Sequence, residues 1–177
     1  MHRHLRTYAP IAYSLIASAV FLDSLRFKFT NAPETQTIFG KLDAWAAGFG
    51  AEGLFAQTGL FSQYVIGSAE LVASALLIAS LVPALKRLRV LGALIAVAVM
   101  SGAVSFHLFT PLGIDPNNDG GGLFAMAVVV WLCSLAMLIA GRGVLAELGG
   151  AAARVLLPPS PSAQPSADGP ALTPARS

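Results

Sequence analysis

A few ionisable side chains stand inside or beside long apolar stretches: Asp23, Arg26, Lys28, Glu70 and His107. Charge in a low-dielectric setting is expensive and is kept there for pairing, proton handling or ligand contact. Asp23 and Arg26 are three residues apart, one helical turn on one face. Glu70 has Gly67, Ala73 and Ser74 at i−3, i+3 and i+4, a face of small residues that lets a neighbouring helix approach closely. The carboxylate should therefore face other helices, where it must be neutralised or find a cation. Arg26 is the expected partner, because a guanidinium keeps its charge and can bind a carboxylate bidentately. Such a pair can simply fix helix register. The chemical alternative is a polar cavity in which Glu70 accepts protons or ligand donors.

His107 has Met100 and Ala103 on its inner side. It is read either as an interfacial imidazole bonded to a neighbouring loop or as a proton carrier and donor to a quinone carbonyl. No second His stands at ligand spacing, so no metal site is expected. Asp115-Pro116-Asn117-Asn118-Asp119-Gly120 matches the first half of a calcium-binding loop. Position twelve is Met126 in place of the bidentate Glu, so a tight turn is expected, with Asp119 capping the following helix. Cys133 and Trp131 are read as packing residues. A phosphate-binding loop, a zinc-protease motif and a nucleophile elbow are all missing.

The elements that position these residues follow from hydrophobicity. The chain has 177 residues, 55% hydrophobic and 11% charged, with a net charge of +2 and one cysteine. One domain is expected. So few charges cannot cover a water-soluble surface, and one Cys excludes an internal disulfide framework. The small net charge gives no reason to expect nucleic acid. Apolar segments at about 8–29, 60–82, 90–109 and 122–140 are long enough to span a bilayer as helices. The predicted fold is all-α, an integral membrane four-helix bundle over residues 1–157, followed by a disordered Pro/Ser/Ala-rich cytoplasmic tail at 158–177.

Arg3 and Arg6, then Lys86, Arg87 and Arg89, then Arg142 and Arg154 fall on one side of a four-span arrangement. Arg26, Lys28, Lys41, Asp115 and Asp119 fall on the other. The excess of basic residues places both termini in the cytoplasm. Ala17-Ser18-Ala19 resembles a cleavage site, but apolar residues continue to Leu22 and cleavage would break the charge symmetry, so the first span is expected to be retained. In the first outer loop, Asn31, Pro33 and Glu34 read as a helix start. Ile38, Leu42, Trp45 and Phe49 form one helical stripe, which predicts a short amphipathic helix on the outer leaflet or capping the bundle.

Certain segments carry a resemblance. They are Leu25-Arg26-Phe27-Lys28-Phe29-Thr30 with Pro33-Glu34-Thr35, Gly67-Ser68-Ala69-Glu70-Leu71, and Phe106-His107-Leu108 with Gly113-Ile114 and Asp119-Gly120-Gly121-Gly122. The chain resembles the DoxX-like family of small four-helix bacterial membrane proteins from about Ile11 to Ala140. The family takes its name from a membrane subunit of a thiosulfate:quinone oxidoreductase, and some members are linked to redox stress. The resemblance implies a bacterial inner-membrane location. It implies Arg26, Lys28 and Glu70 as core polar residues, with His107 and Asp119 as an outer polar edge. It also brings quinone into view as a cofactor and redox subunits as partners.

Three functions compete. One is a non-enzymatic protein that binds a small or lipid-like molecule, or assists a membrane complex, through an outward-facing polar cavity. The next is a quinone-reactive oxidoreductase subunit. The last is a small-solute transporter, which the lack of an inverted repeat or broken span weakens.

Overall fold

Tyr8–Phe29, Leu88–Phe109 and Gly122–Ala140 are each continuous helix, and each is long and apolar enough to cross a membrane. They belong to a computed structural model that describes residues 2–156, with side chains from Tyr8 onward. The expected tail at 158–177 lies outside the described residues, as do the side chains of Arg3 and Arg6. The described residues are all-helical. The elements are α1 (His2–Phe29), α2 (Pro33–Ala47), α3 (Gln63–Ala79), a single 3-10 turn (Pro83–Leu85), α4 (Leu88–Phe109), α5 (Gly122–Ala140) and α6 (Arg142–Leu156).

Local sequence sets the ends. Ser62 starts α3, its Oγ accepting from the Val65 amide at 3.3 Å. At the other end Ser80 closes α3, and Pro83 opens the 3-10 turn. The helix is therefore 17 residues, about 25 Å long and shorter than the predicted segment 60–82. Asn31 was expected to start α2, but Ala32 is the N-cap, with Pro33 in the first turn. Asn31 instead takes a left-handed backbone conformation, φ 58°, and turns its side chain toward α3. The helix α6 was not anticipated. Gly149-Gly150 and four alanines dilute its apolar spacing, although Val144, Leu148 and Val155 share one face.

Packing runs α1 on α3, α3 on α4, α4 on α5, with α5 returning to α1. Much of the shared core is small: Ala17, Ala73, Ala93 and Ala96 are almost wholly buried, beside Phe21 and Leu77. Small residues let backbones approach and increase dispersion contact. Gly92 marks a close approach of α4 to α3, since a Cβ there would lie 2.8 Å from Leu77 Cγ.

The amphipathic helix α2 forms as predicted and acts as a cap. Leu42 and Ala46 build a second core with Phe55 and Leu112, flanked by Ile38, Trp45 and Phe106. Phe49, the last residue of the predicted stripe, lies past the helix and is 76% exposed, its ring edge-on to Trp45 at 5.4 Å. We call this the cap end and the opposite end, with α6 and the α3–α4 connection, the link end.

Candidate functional site

The residue types selected from the sequence separate into distinct places. Lys28 and Glu70 come together at the cap end between α1 and α3. Lys28 Nζ donates to both Glu70 Oε1 and Oε2 at 2.9 Å and also to Ser24 Oγ. The side chains are 14% and 3% exposed, so this is a buried, bidentate pair. Gly67 faces Leu25, Lys28 and Phe29, and a Cβ there would meet each of them at 3.5 Å, an ordinary contact.

Arg26 is not the partner of Glu70. Its Nε binds Asp23 Oδ1 at 3.0 Å, with both side chains more than 60% exposed. The guanidinium also lies 4.6 Å from the Phe27 ring centre. The reason is helical phase. Two residues separate Arg26 from Lys28, about 200° around α1, so only one of them can face α3. Asp23 and Arg26 therefore share the outer surface of α1, away from Glu70.

A polar network extends the buried pair toward the cap. Gln63 is 2% exposed, and its Nε2 donates to the Lys28 carbonyl and to Asn31 Oδ1, both at 2.8 Å. Gln57 Nε2 donates to the same Asn31 oxygen at 3.2 Å. This network joins the end of α1, the start of α3 and the connection after α2. Gln63 escaped the sequence reading, because a single Gln at a helix start looks like a solvated residue. The small-residue face around Glu70 was legible.

His107 is buried near the end of α4 and its Nδ1 lies 2.6 Å from the Gly113 carbonyl. A carbonyl only accepts, so Nδ1 carries the proton. The ring also lies 5.5 Å from that of Phe124. Asp119 stands apart in the turn before α5. Its Oδ2 accepts from the Leu123 amide at 2.7 Å and its Oδ1 from the Gly121 amide at 3.0 Å. The Leu123 amide, with further help from Asp115 and Gly121, holds the Asp119 carboxyl below the ordinary aspartate value. This is a helix cap, and Asp115 Oδ1 closes the turn by accepting from the Asp119 amide at 2.7 Å. Among the described residues, no three His, Cys, Asp or Glu side chains group as metal ligands.

A second polar layer lies toward the link end, and sequence reasoning passed it over. Arg89 Nε donates to Ser14 Oγ at 3.0 Å, and its Nη2 donates to the Ser80 carbonyl at 3.2 Å. Ser80 Oγ donates to the Leu77 carbonyl at 2.6 Å, so Ser14 donates to Ser80 at 3.3 Å. In the same way Tyr13 donates to Ser134 at 2.8 Å, which donates to the Val130 carbonyl. From the sequence Arg89 reads as one of three basic residues in the short link that sets orientation, and serines carry little signal in an apolar run. Trp131 packs as expected and also donates to Ser101 Oγ at 2.9 Å. Cys133, expected to be buried, is exposed on α5. Ser134 and Val130 occupy the inward face of that helix instead.

Two of the clefts on the described surface are notable. One, about 440 Å³, lies at the cap end against Lys41, Ala44, Trp45 and Pro111. The other, about 160 Å³, lies at the link end against Pro10, Lys86, Arg89, Val90, Met137, Ala140 and Gly141. None of Asp23, Arg26, Lys28, Glu70, His107 and Asp119 lines either. Comparison with models of known families, with curated proteins and with solved structures gives no match to the chain.

Proposed function

We propose that the chain is a bacterial inner-membrane protein of the DoxX-like type. In this reading α1, α3, α4 and α5 cross the bilayer as a four-helix bundle, with both termini in the cytoplasm. Three apolar helices of spanning length support it. So does the packing of the shorter α3 between α1 and α4. Lys86 and Arg87 at the link end agree with the orientation.

Its role is to bind a small amphiphilic molecule at the outer, cap end, on its own account or for a partner membrane complex. The observation that carries this is the 440 Å³ cleft, which Lys41 lines together with Ala44, Trp45 and Pro111. A cation next to an apolar wall suits a ligand with an anionic or strongly polar head and a flat or aliphatic body. Trp45 packs against the second core and the Phe106 ring at 6.5 Å, so the wall is held by the cap.

The test is organic extraction of protein purified in mild detergent, followed by ultraviolet and mass analysis. A roughly stoichiometric amphiphile, lost on Trp45→Ala and weakened on Lys41→Gln, is expected. No molecule above the level of an unrelated membrane protein would overturn the binding reading.

A quinone-reactive oxidoreductase subunit is the second reading. The buried His107 favours it, because its Nδ1 proton is committed to Gly113 and Nε2 is left as the proton-accepting nitrogen. A quinone in the extract, lost on His107→Ala, would select this reading over simple binding.

A further inference from the structure

The link-end cleft holds basic groups that no acid balances. Lys86 and Arg89 both line it, and neither is in an ion pair among the described residues. Glu147 is the one described acid at this end, and it pairs with Arg87 at 3.3 Å. Arg89 is not a loose surface cation. Ser14 and the Ser80 carbonyl hold two of its five N–H donors, which fixes the guanidinium plane at the rim of the helix core. Its remaining donors and the Lys86 ammonium are open to an anion. The rest of the cleft is apolar: Pro10, Val90, Met137, Ala140 and Gly141. Such a wall suits a hydrocarbon chain rather than a hydrated ion.

The helix α6 adds an independent observation. It starts one residue after Gly141, has no buried residue, and leaves Leu148, Val155 and Leu156 exposed. With Val144 and Leu145 these form one apolar face, while Arg142, Glu147 and Arg154 lie off it. An amphipathic helix of this kind, adjoining spanning helices, fits the interfacial plane of a bilayer.

We infer that the link end binds the phosphate headgroup of an anionic phospholipid between Lys86 and Arg89, with an acyl chain along Val90 and Met137 and α6 lying in the same leaflet. This rests on the membrane placement proposed above. Phosphate is the shared chemistry of a lipid headgroup and a free ion. The apolar wall and the exposed face of α6 select the lipid.

The full chain is purified in mild detergent and offered phosphatidylglycerol or phosphatidylcholine in equal amounts, and retained lipid is read by native mass spectrometry. Preferential retention of phosphatidylglycerol is expected. Lys86→Gln, an exposed position whose loss leaves the core intact, should weaken that retention about fivefold. Arg89→Lys should weaken it at least as much while keeping the positive charge, since a lysine cannot hold both serine contacts and the anion. Equal retention of the two lipids, or retention unchanged in Lys86→Gln, would overturn the inference. Full competition by inorganic phosphate would overturn the lipid as the source. Recovery of the chain from cells without detergent would sink the membrane placement itself. A detergent-requiring protein with no lipid preference would sink only the headgroup site.

Discussion

Lys28 and Glu70 hold each other in a place neither could occupy alone. Both carboxylate oxygens are committed to one ammonium at 2.9 Å, and the acid is all but sealed from solvent. Removing one partner leaves an uncompensated charge, an effect of about 3–5 kcal/mol, whereas removing both can be nearly neutral. Lys28→Met should therefore lower the thermal midpoint of the detergent-solubilised protein strongly, and Lys28→Met with Glu70→Met should recover most of the loss. A double variant as unstable as the single one would show that the pair is not what the site needs. The inward direction of Glu70 was readable from Gly67, Ala73 and Ser74. Its partner was not, because Arg26 and Lys28 are equally basic on paper. Only the phase of α1 against α3 decides between them, and that phase is set by packing at Phe21 and Leu25.

At the scale of elements, the long apolar helices were legible because about 20 residues of unbroken hydrophobicity admit few other structures. The helix α3 came out shorter because Ser62 and Ser80 end it from within the apolar run. In α6 the signal was diluted by glycine and alanine. The start of α5 is the element boundary with the clearest electrostatic content. Asp119 faces the Leu123 and Gly121 amides, and its carboxyl is held below its ordinary value, first by the Leu123 amide. A carboxyl lowered on folding contributes stability in full above its unfolded value, and that contribution fades as pH falls through the folded one. The cap should therefore be at full strength at neutral pH and weaken only below the ordinary aspartate range. Asp119→Ala should lower stability by about 0.5–2 kcal/mol at pH 7. The difference from wild type should shrink in acid, read as midpoints from pH 7 down to 3. A difference that stays constant across that range would show that the carboxylate charge is not what caps the helix.

The whole molecule has two unlike ends. The cap end is built from α2, its following connection and the α4–α5 loop, while the link end carries basic residues and α6. With the cap outside, a cysteine at Gln57 should react with a membrane-impermeant maleimide in intact cells. One at Ala151 should react only after permeabilisation. In the proposed membrane placement, the native Cys133, on the surface of α5, should resist the reagent in both states. Labelling of position 151 in intact cells would reverse the orientation.

The two ion pairs on α1 and α3 are close opposites, Asp23 with Arg26 and Lys28 with Glu70. A membrane potential acts on each charge by about 2.3 kcal/mol per 100 mV for full crossing. Two opposite charges a hydrogen-bond length apart feel almost equal and opposite forces, so the work cancels when they move together. In the proposed membrane placement, these two pairs are electrically silent, and Arg89, with no ion-pair partner among the described residues, stands at the link end. Energising the membrane would do almost no work on either pair, so neither would be pulled apart by it.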